Sequence, residues 1–195
     1  MNNIVLIAPP AAGMRTQTEL IKAKYQIPLI STQELFDKGY SDDIILQLLA
    51  ERISRPDCVN GYILDDYPRN ISQAESYLKM LEFLNKQPKV IYLNLDIETA
   101  RKRVIGRLYC DVCNVMYNDQ FEDSKPKRFG TCDHCNGALS KNPKDNEEDF
   151  NQRFNQFKTD TYPLIDFFEK RGLLRRVGSG ITKERTFSEI QKILG

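Results

Sequence analysis

Apolar residues along this chain gather into short runs separated by amphipathic stretches, and the two patterns alternate. Asn3 to Ile7 is a nearly continuous apolar run, as in a buried strand. Ala8 to Gly13 is a small-residue turn, and Thr16 to Tyr25 reads as a helix with Leu20, Ile21 and Ala23 to bury. Ile27 to Ile30 is a second short strand, with Ser31 or Thr32 as N-cap of the next segment. Ser41 to Ser54 is a helix: Ser41 caps it, Asp42 and Asp43 suit its positive end, Ile44, Ile45, Leu48 and Leu49 form a 3.6-period stripe, and Pro56 ends it. Gly61 to Arg69 gives a third strand and its exit turn, Asn70 to Asn85 a helix, and Lys89 to Asp96 a fourth strand. Ile97 to Arg107 and Glu147 to Arg171 are helices, the second with Pro163 to bend it; Leu173 to Val177 is the last strand and Thr182 to Leu194 the last helix. No repeats or low-complexity segments interrupt this order.

The totals narrow the class. A chain of 195 residues fits one domain with a small insert. The net charge of +1 supplies no field for nucleic acid or a membrane surface. No apolar run is long enough to span a bilayer, and the N-terminal stretch lacks the basic and apolar regions of a signal peptide. A cytoplasmic monomer acting on small molecules is expected. In that compartment the 5 cysteines point to metal or free thiols rather than disulfides. Cys58 stands alone and reads as a small buried residue.

The other four cysteines form the strongest local signal. Cys110-x-x-Cys113, eighteen residues, then Cys132-x-x-Cys135 is the spacing of a zinc ribbon with four thiolates for a closed tetrahedral site. Bound Zn²⁺ would supply the folding energy that the polar segment Tyr117 to Arg128 lacks. His134, inside the second pair, is a solvated loop residue or, as the weaker alternative, a substitute ligand. Lys125, Lys127, Arg128 and Phe129 also suit an independent ribbon that binds nucleic acid or protein, although its position inside the chain favours an insert that serves the surrounding domain.

The strand, small-residue loop and helix at the start form a phosphate-binding geometry, since free N–H groups and the helix dipole at a helix start favour an anion. The sequence Ala8-Pro9-Pro10-Ala11-Ala12-Gly13-Met14-Arg15-Thr16 keeps the second glycine of G-x-x-x-x-G-K-[ST] but has Ala8 for the first and Met14 for the lysine. Asp65, at the end of the third strand, would lie beside this loop, where it can hold water on Mg²⁺, and Arg69 can grip a phosphate with two parallel bonds. Gln73, one helical turn on, can read a purine edge.

These stretches together resemble the adenylate kinases over nearly the whole chain. The family loop G-x-P-G-x-G-K-G-T is matched at Ala8–Thr16 except at glycines and the lysine, the family's I-S-T-G-D is matched at Ile30-Ser31-Thr32, and G-[FY]-[IL]-L-D-G-[FY]-P-R followed by Q-A is matched, except at Asp66, by Gly61–Arg69 and Gln73-Ala74. The resemblance implies an α/β fold with a P-loop-type parallel five-stranded sheet flanked by helices and a small zinc-binding lid. Residues 1–107 and 142–195 would form the core, and 108–141 the lid over the phosphates. It implies the reaction ATP + AMP = 2 ADP. Asp65, Arg69, Arg107 and Arg153 would be catalytic; Gly13, Arg15, Thr16, Arg103 and Arg107 would bind ATP; Thr32, Arg69 and Gln73 would bind AMP; Cys110, Cys113, Cys132 and Cys135 would hold structural zinc, with Mg²⁺ accompanying ATP.

The departures are specific. The two-helix flap that covers the monophosphate is reduced to residues 33–40, and no arginine stands between Arg15 and Arg52. Asn142 replaces a lid arginine, Leu108 the partner of Arg107, and Asp66 a glycine, placing a second negative charge beside the nucleotide. Three readings are open: a divergent, slow nucleoside monophosphate kinase; a catalytically silent relative that binds nucleotides or a partner; or a zinc-stabilised structural protein, against which Asp65, Arg69, Gln73, Arg103, Arg107 and Arg153 all weigh.

Overall fold

Along the first strand, β1 (Asn2–Ile7), side chains alternate between two apolar layers: Ile4 and Leu6 enter one, Val5 and Ile7 the other. A strand covered on both faces needs an apolar residue at every position, hence the unbroken run. The computed structural model describes residues 1–180 and 182–195. In chain order the remaining elements are α1 (Met14–Tyr25), β2 (Leu29–Ser31), α2 (Gln33–Asp37), α3 (Asp42–Ile53), β3 (Gly61–Asp65), α4 (Ile71–Phe83), β4 (Pro88–Asn94), α5 (Ile97–Ile105), β5 (Arg107–Cys110), β6 (Met116–Asn118), β7 (Leu139–Ser140), α6 (Glu147–Lys170), β8 (Leu174–Gly178) and α7 (Lys183–Leu194).

Five strands form one parallel sheet in the order β2-β3-β1-β4-β8, with Val5 opposite Leu64 on one side and Val90 on the other. Helices cover both faces. Ile45, Leu49 and Ile53 of α3 and Ala74, Tyr77 and Leu81 of α4 pack with Val5 and Ile7. Ile21 of α1, Ala100 and Val104 of α5, and Ile190 and Leu194 of α7 pack with Ile4 and Leu6. Helix α6 serves both layers: Phe150 and Phe154 join the second, while Leu164, Ile165, Phe167 and Phe168, beyond Pro163, join the first.

The expected elements are present with shifted details. Helix α1 starts two residues early, at Met14, and leaves Ala23 exposed, burying Gln17 and Thr18 beside Ile21. Helix α3 buries only the inner half of its stripe: Ile45 and Leu49 are buried, while Ile44 and Leu48 are 44% and 38% exposed. Neither Ser41 nor Thr32 caps through its side chain; the Thr32 hydroxyl instead donates to the Asp66 carbonyl, 3.2 Å away. Within the reduced segment 33–40, α2 occupies the first five residues. Cys58 is buried, as expected, and accepts from the Arg52 guanidinium at 3.1 Å.

Between α5 and α6 the chain leaves the sheet and forms a separate antiparallel one, β6-β5-β7, over its own small cluster of Cys110, Tyr117 and Cys132. Arg101 ties the two ends of this excursion together, bridging Glu98 on α5 and Glu147 at the start of α6.

Candidate nucleotide site and metal centre

Strand β1 exits to α1 on one face of the sheet, and its neighbour β3 exits to α4 on the other. Adjacent strands that send the chain opposite ways leave a crevice at their carboxyl ends. A cleft of about 230 Å³ opens there, lined by Ala8, Met14, Asp65, Asp66, Tyr67, Arg69 and, from α6, Phe157, Asp160 and Thr161 among others. The loop 8–13 bounds it. Gly13 is the N-cap of α1 at φ 81, and the first intrahelical bond is Gln17 N–H to Gly13 O at 3.0 Å, so the preceding amides have no helical partner. Ala11 and Asp66, two of the positions where the family pattern has glycine, hold φ 63 and φ 61. The backbone bends of the pattern persist without the residue that makes them easy.

On the other side of the loop lies a second cavity of about 190 Å³, lined by Gly13, Thr16, Gln17, Arg103, Ser179, Thr182, Lys183 and Thr186 among others. Arg103 reaches over the loop, donating to the Ala11 carbonyl at 3.2 Å, and burial pulls its pKa below the usual guanidinium range. Gln17 is a wall residue that the sequence did not single out. Its amide nitrogen donates to the Lys183 carbonyl at 3.0 Å, and its buried amide oxygen has no partner among the described residues. The signal was there, since a polar residue on the inner face of an amphipathic helix asks for a reason.

The structure thus brings Gly13, Thr16 and Arg103 to one cavity and Asp65 and Arg69 to the other. Asp65 is half-buried, and burial, then the charge of Asp66, raises its carboxyl above the usual range. Arg69 donates from Nε to the Asp66 carbonyl at 3.1 Å and from Nη2 to Gln33 Oε1 at 2.8 Å, and its guanidinium lies 3.7 Å from the Phe36 ring centre. Gln73 is buried against the same corner. Arg15 lines neither cavity and is exposed on α1, while Met14, in the lysine position, lines the first.

Arg107 and Arg153 meet at a third place. Both face the buried carboxylate of Asp145, at 3.6 and 3.9 Å, where the excursion rejoins the core. Arg153 also donates to the Lys144 carbonyl at 3.0 Å, and Arg107 to the Tyr109 hydroxyl at 3.1 Å. Asp145 is the second residue that sequence reasoning missed. Only the fold shows that two arginines forty-six positions apart share it.

The four cysteines converge. Their sulfurs lie within 4.8 Å of one another, with Cys110 to Cys135 at 3.3 Å and Cys113 to Cys132 at 3.5 Å. All are free thiols. A tetrahedron with metal–sulfur bonds of about 2.3 Å has edges of about 3.8 Å, so the donor set fits a four-coordinate ion. The two halves repeat one turn. In Cys110-Asp111-Val112-Cys113-Asn114 and Cys132-Asp133-His134-Cys135-Asn136 the fifth residue is left-handed, at φ 57 and 58, and donates its N–H to the first cysteine's carbonyl at 2.8 and 2.9 Å. The Tyr117 hydroxyl, 3.5 Å from Cys132 Sγ, and the backbone amides around it lower the pKa of that thiol, while burial and the neighbouring thiols raise those of Cys113 and Cys135. His134 is exposed and outside the sulfur cluster; its backbone N–H points at Cys132 Sγ, 3.4 Å away.

A parallel sheet whose central strand feeds a phosphate-type loop, with a carboxylate at the end of the adjacent strand, an arginine in its exit turn and a second cavity behind the loop, fits a nucleotide-binding phosphotransferase. The sequence model of the adenylate kinase family matches residues 37–173. An adenylate kinase of Syntrophobacter fumaroxidans is 35% identical over 214 aligned positions, covering 99% of this chain and 100% of the relative. One of Thermodesulfovibrio yellowstonii is 36% identical, covering 98% of each. One of Archaeoglobus fulgidus is 34% identical, covering 98% of this chain and 97% of the relative. The chain belongs to the adenylate kinase family. An alignment of 214 positions exceeds the 195 residues here, so that relative carries residues this chain lacks.

Proposed function

We propose that this protein transfers a phosphoryl group between adenine nucleotides, ATP + AMP to two ADP, at a rate lowered by the losses in its own site. The observation that carries the reading is Asp65 and Arg69 flanking one cleft beside the 8–13 loop, in a chain of this family. ATP would lie with its base against Arg103 in the cavity behind the loop and its phosphates along the free amides of α1. Asp65 would hold Mg²⁺ through water; the ion, when bound, offsets charge on the phosphates. Arg69 would orient the acceptor phosphate so that its oxygen attacks the γ-phosphorus in line and ADP leaves.

Residues 108–141 act in this reading as a lid that excludes water, with zinc held by Cys110, Cys113, Cys132 and Cys135. Arg107 and Arg153, joined through Asp145 at the hinge, would swing toward the transferring group as the lid closes. Transfer of this kind depends on positioning and on cancelling developing charge. A preorganised donor aimed at that charge is worth about 3–4 kcal/mol. Met14, Asn142 and the absent flap arginine remove three such groups relative to the family pattern, which supports slow turnover. The same losses support a second reading, a silent relative that binds nucleotide without transferring phosphate.

Calorimetry with ATP and then AMP tests the assignment of the two cavities. ATP is expected to bind more tightly, since the AMP side has lost its flap; tighter binding of AMP would overturn the assignment.

A further inference from the structure

The shortened segment that stands in place of the flap does not leave the acceptor corner open. Gln73, which the family pattern places against the monophosphate's base, has both halves of its amide committed. Its Oε1 accepts from the Arg69 backbone N–H at 2.7 Å, and its Nε2 donates to Asp42 Oδ1 at 2.8 Å. Arg69 is held by the same stretch, through Gln33 and the face of Phe36. The Thr32 hydroxyl, the third group expected to bind AMP, is turned to the Asp66 carbonyl. Every acceptor-side group therefore has a partner supplied by residues 33–42 or by the β3 exit turn itself.

We propose that Asp42 is a specificity-determining latch: by holding Gln73 it prevents that amide from reading a base edge, so the acceptor subsite takes nucleoside monophosphates through their phosphate with little discrimination among bases. The inference rests on the reading of this corner as the acceptor subsite. Physically, a base would have to break a charge-assisted bond in a corner where Gln73 is only 4% exposed, and the base edge offers a neutral replacement for a carboxylate. Arg69 keeps a path to phosphate, because its Nη1 makes no bond among the described residues.

The test titrates the full, zinc-loaded chain with AMP, CMP and ATP, in wild type, Asp42→Ala and Asp42→Asn. Wild type is expected to bind AMP and CMP within about threefold of each other, and Asp42→Ala, which frees the Gln73 Nε2 while Arg69 still holds its Oε1, to favour AMP by roughly tenfold, the worth of one regained hydrogen bond. Asp42→Asn keeps an oxygen for Gln73 to donate to but loses the charge that strengthens the bond, so its AMP preference should fall between those of wild type and Asp42→Ala. An AMP preference of tenfold in wild type, or an unchanged AMP-to-CMP ratio in Asp42→Ala while ATP still binds, overturns the latch alone. ATP failing to bind any of the three proteins overturns the nucleotide reading on which it stands.

Discussion

Single residues carry the clearest marks of divergence. Ala11 and Asp66 stand at positions where the family pattern has glycine, and both keep a left-handed backbone. Aspartate tolerates that region better than alanine, whose Cβ crowds the following carbonyl at a cost of about 1–2 kcal/mol. Ala11→Gly should therefore raise stability by roughly 1 kcal/mol in urea denaturation, after allowing for the extra freedom glycine gives the unfolded chain; lower stability would mean the loop is held by contacts rather than by its backbone. Asp65 makes a different prediction. Its pKa is raised by burial and by Asp66, so the folded protein resists its ionisation. Below its ordinary pKa the group is neutral in both states and contributes nothing; as pH rises past that value the unfolded chain ionises first and the fold loses stability. Asp65→Asn should thus melt higher than wild type at pH 7, with the gain fading toward pH 3, while ATP binding loses its dependence on Mg²⁺. A variant that melts lower at pH 7 would contradict this.

At the scale of elements, the two cysteine turns were legible because metal binding imposes a local spacing, and the structure adds that both close on an asparagine in the same left-handed conformation. The β1–loop–α1 unit was legible for a similar reason, since anion binding at a helix start is built from neighbours in sequence. The outer half of α3 was not. A stripe of four apolar residues predicts burial, but whether Ile44 and Leu48 are covered is decided elsewhere in the chain, and both are exposed. The clamp of Gln33, Phe36 and Asp42 on Arg69 and Gln73 was hidden likewise, because it joins residues some thirty positions apart. For the cysteine element, purified protein should contain one zinc per chain. A strong chelator should abolish hydrogen-exchange protection of 108–141, whose buried cluster is three residues, and leave the sheet protected. A metal-free protein with that segment still protected would contradict the metal centre.

For the whole molecule, the sheet, its order and its two helical layers form a crevice at the ends of β1 and β3 that holds Asp65 and Arg69, with Arg103 in the cavity behind the loop and Arg107 and Arg153 at the base of the excursion. The charges that would grip the phosphates have thinned: Met14 lines the cleft where the pattern has lysine, and Asp65, Asp66 and Asp160 face it with Arg69. The most direct test is ADP formation from ATP plus AMP with Mg²⁺, on zinc-loaded protein, against an Arg69→Ala control. Sustained ADP production well above that control is the predicted result. Turnover indistinguishable from it would contradict phosphoryl transfer between these nucleotides and leave a nucleotide-binding member of the family that does not catalyse it.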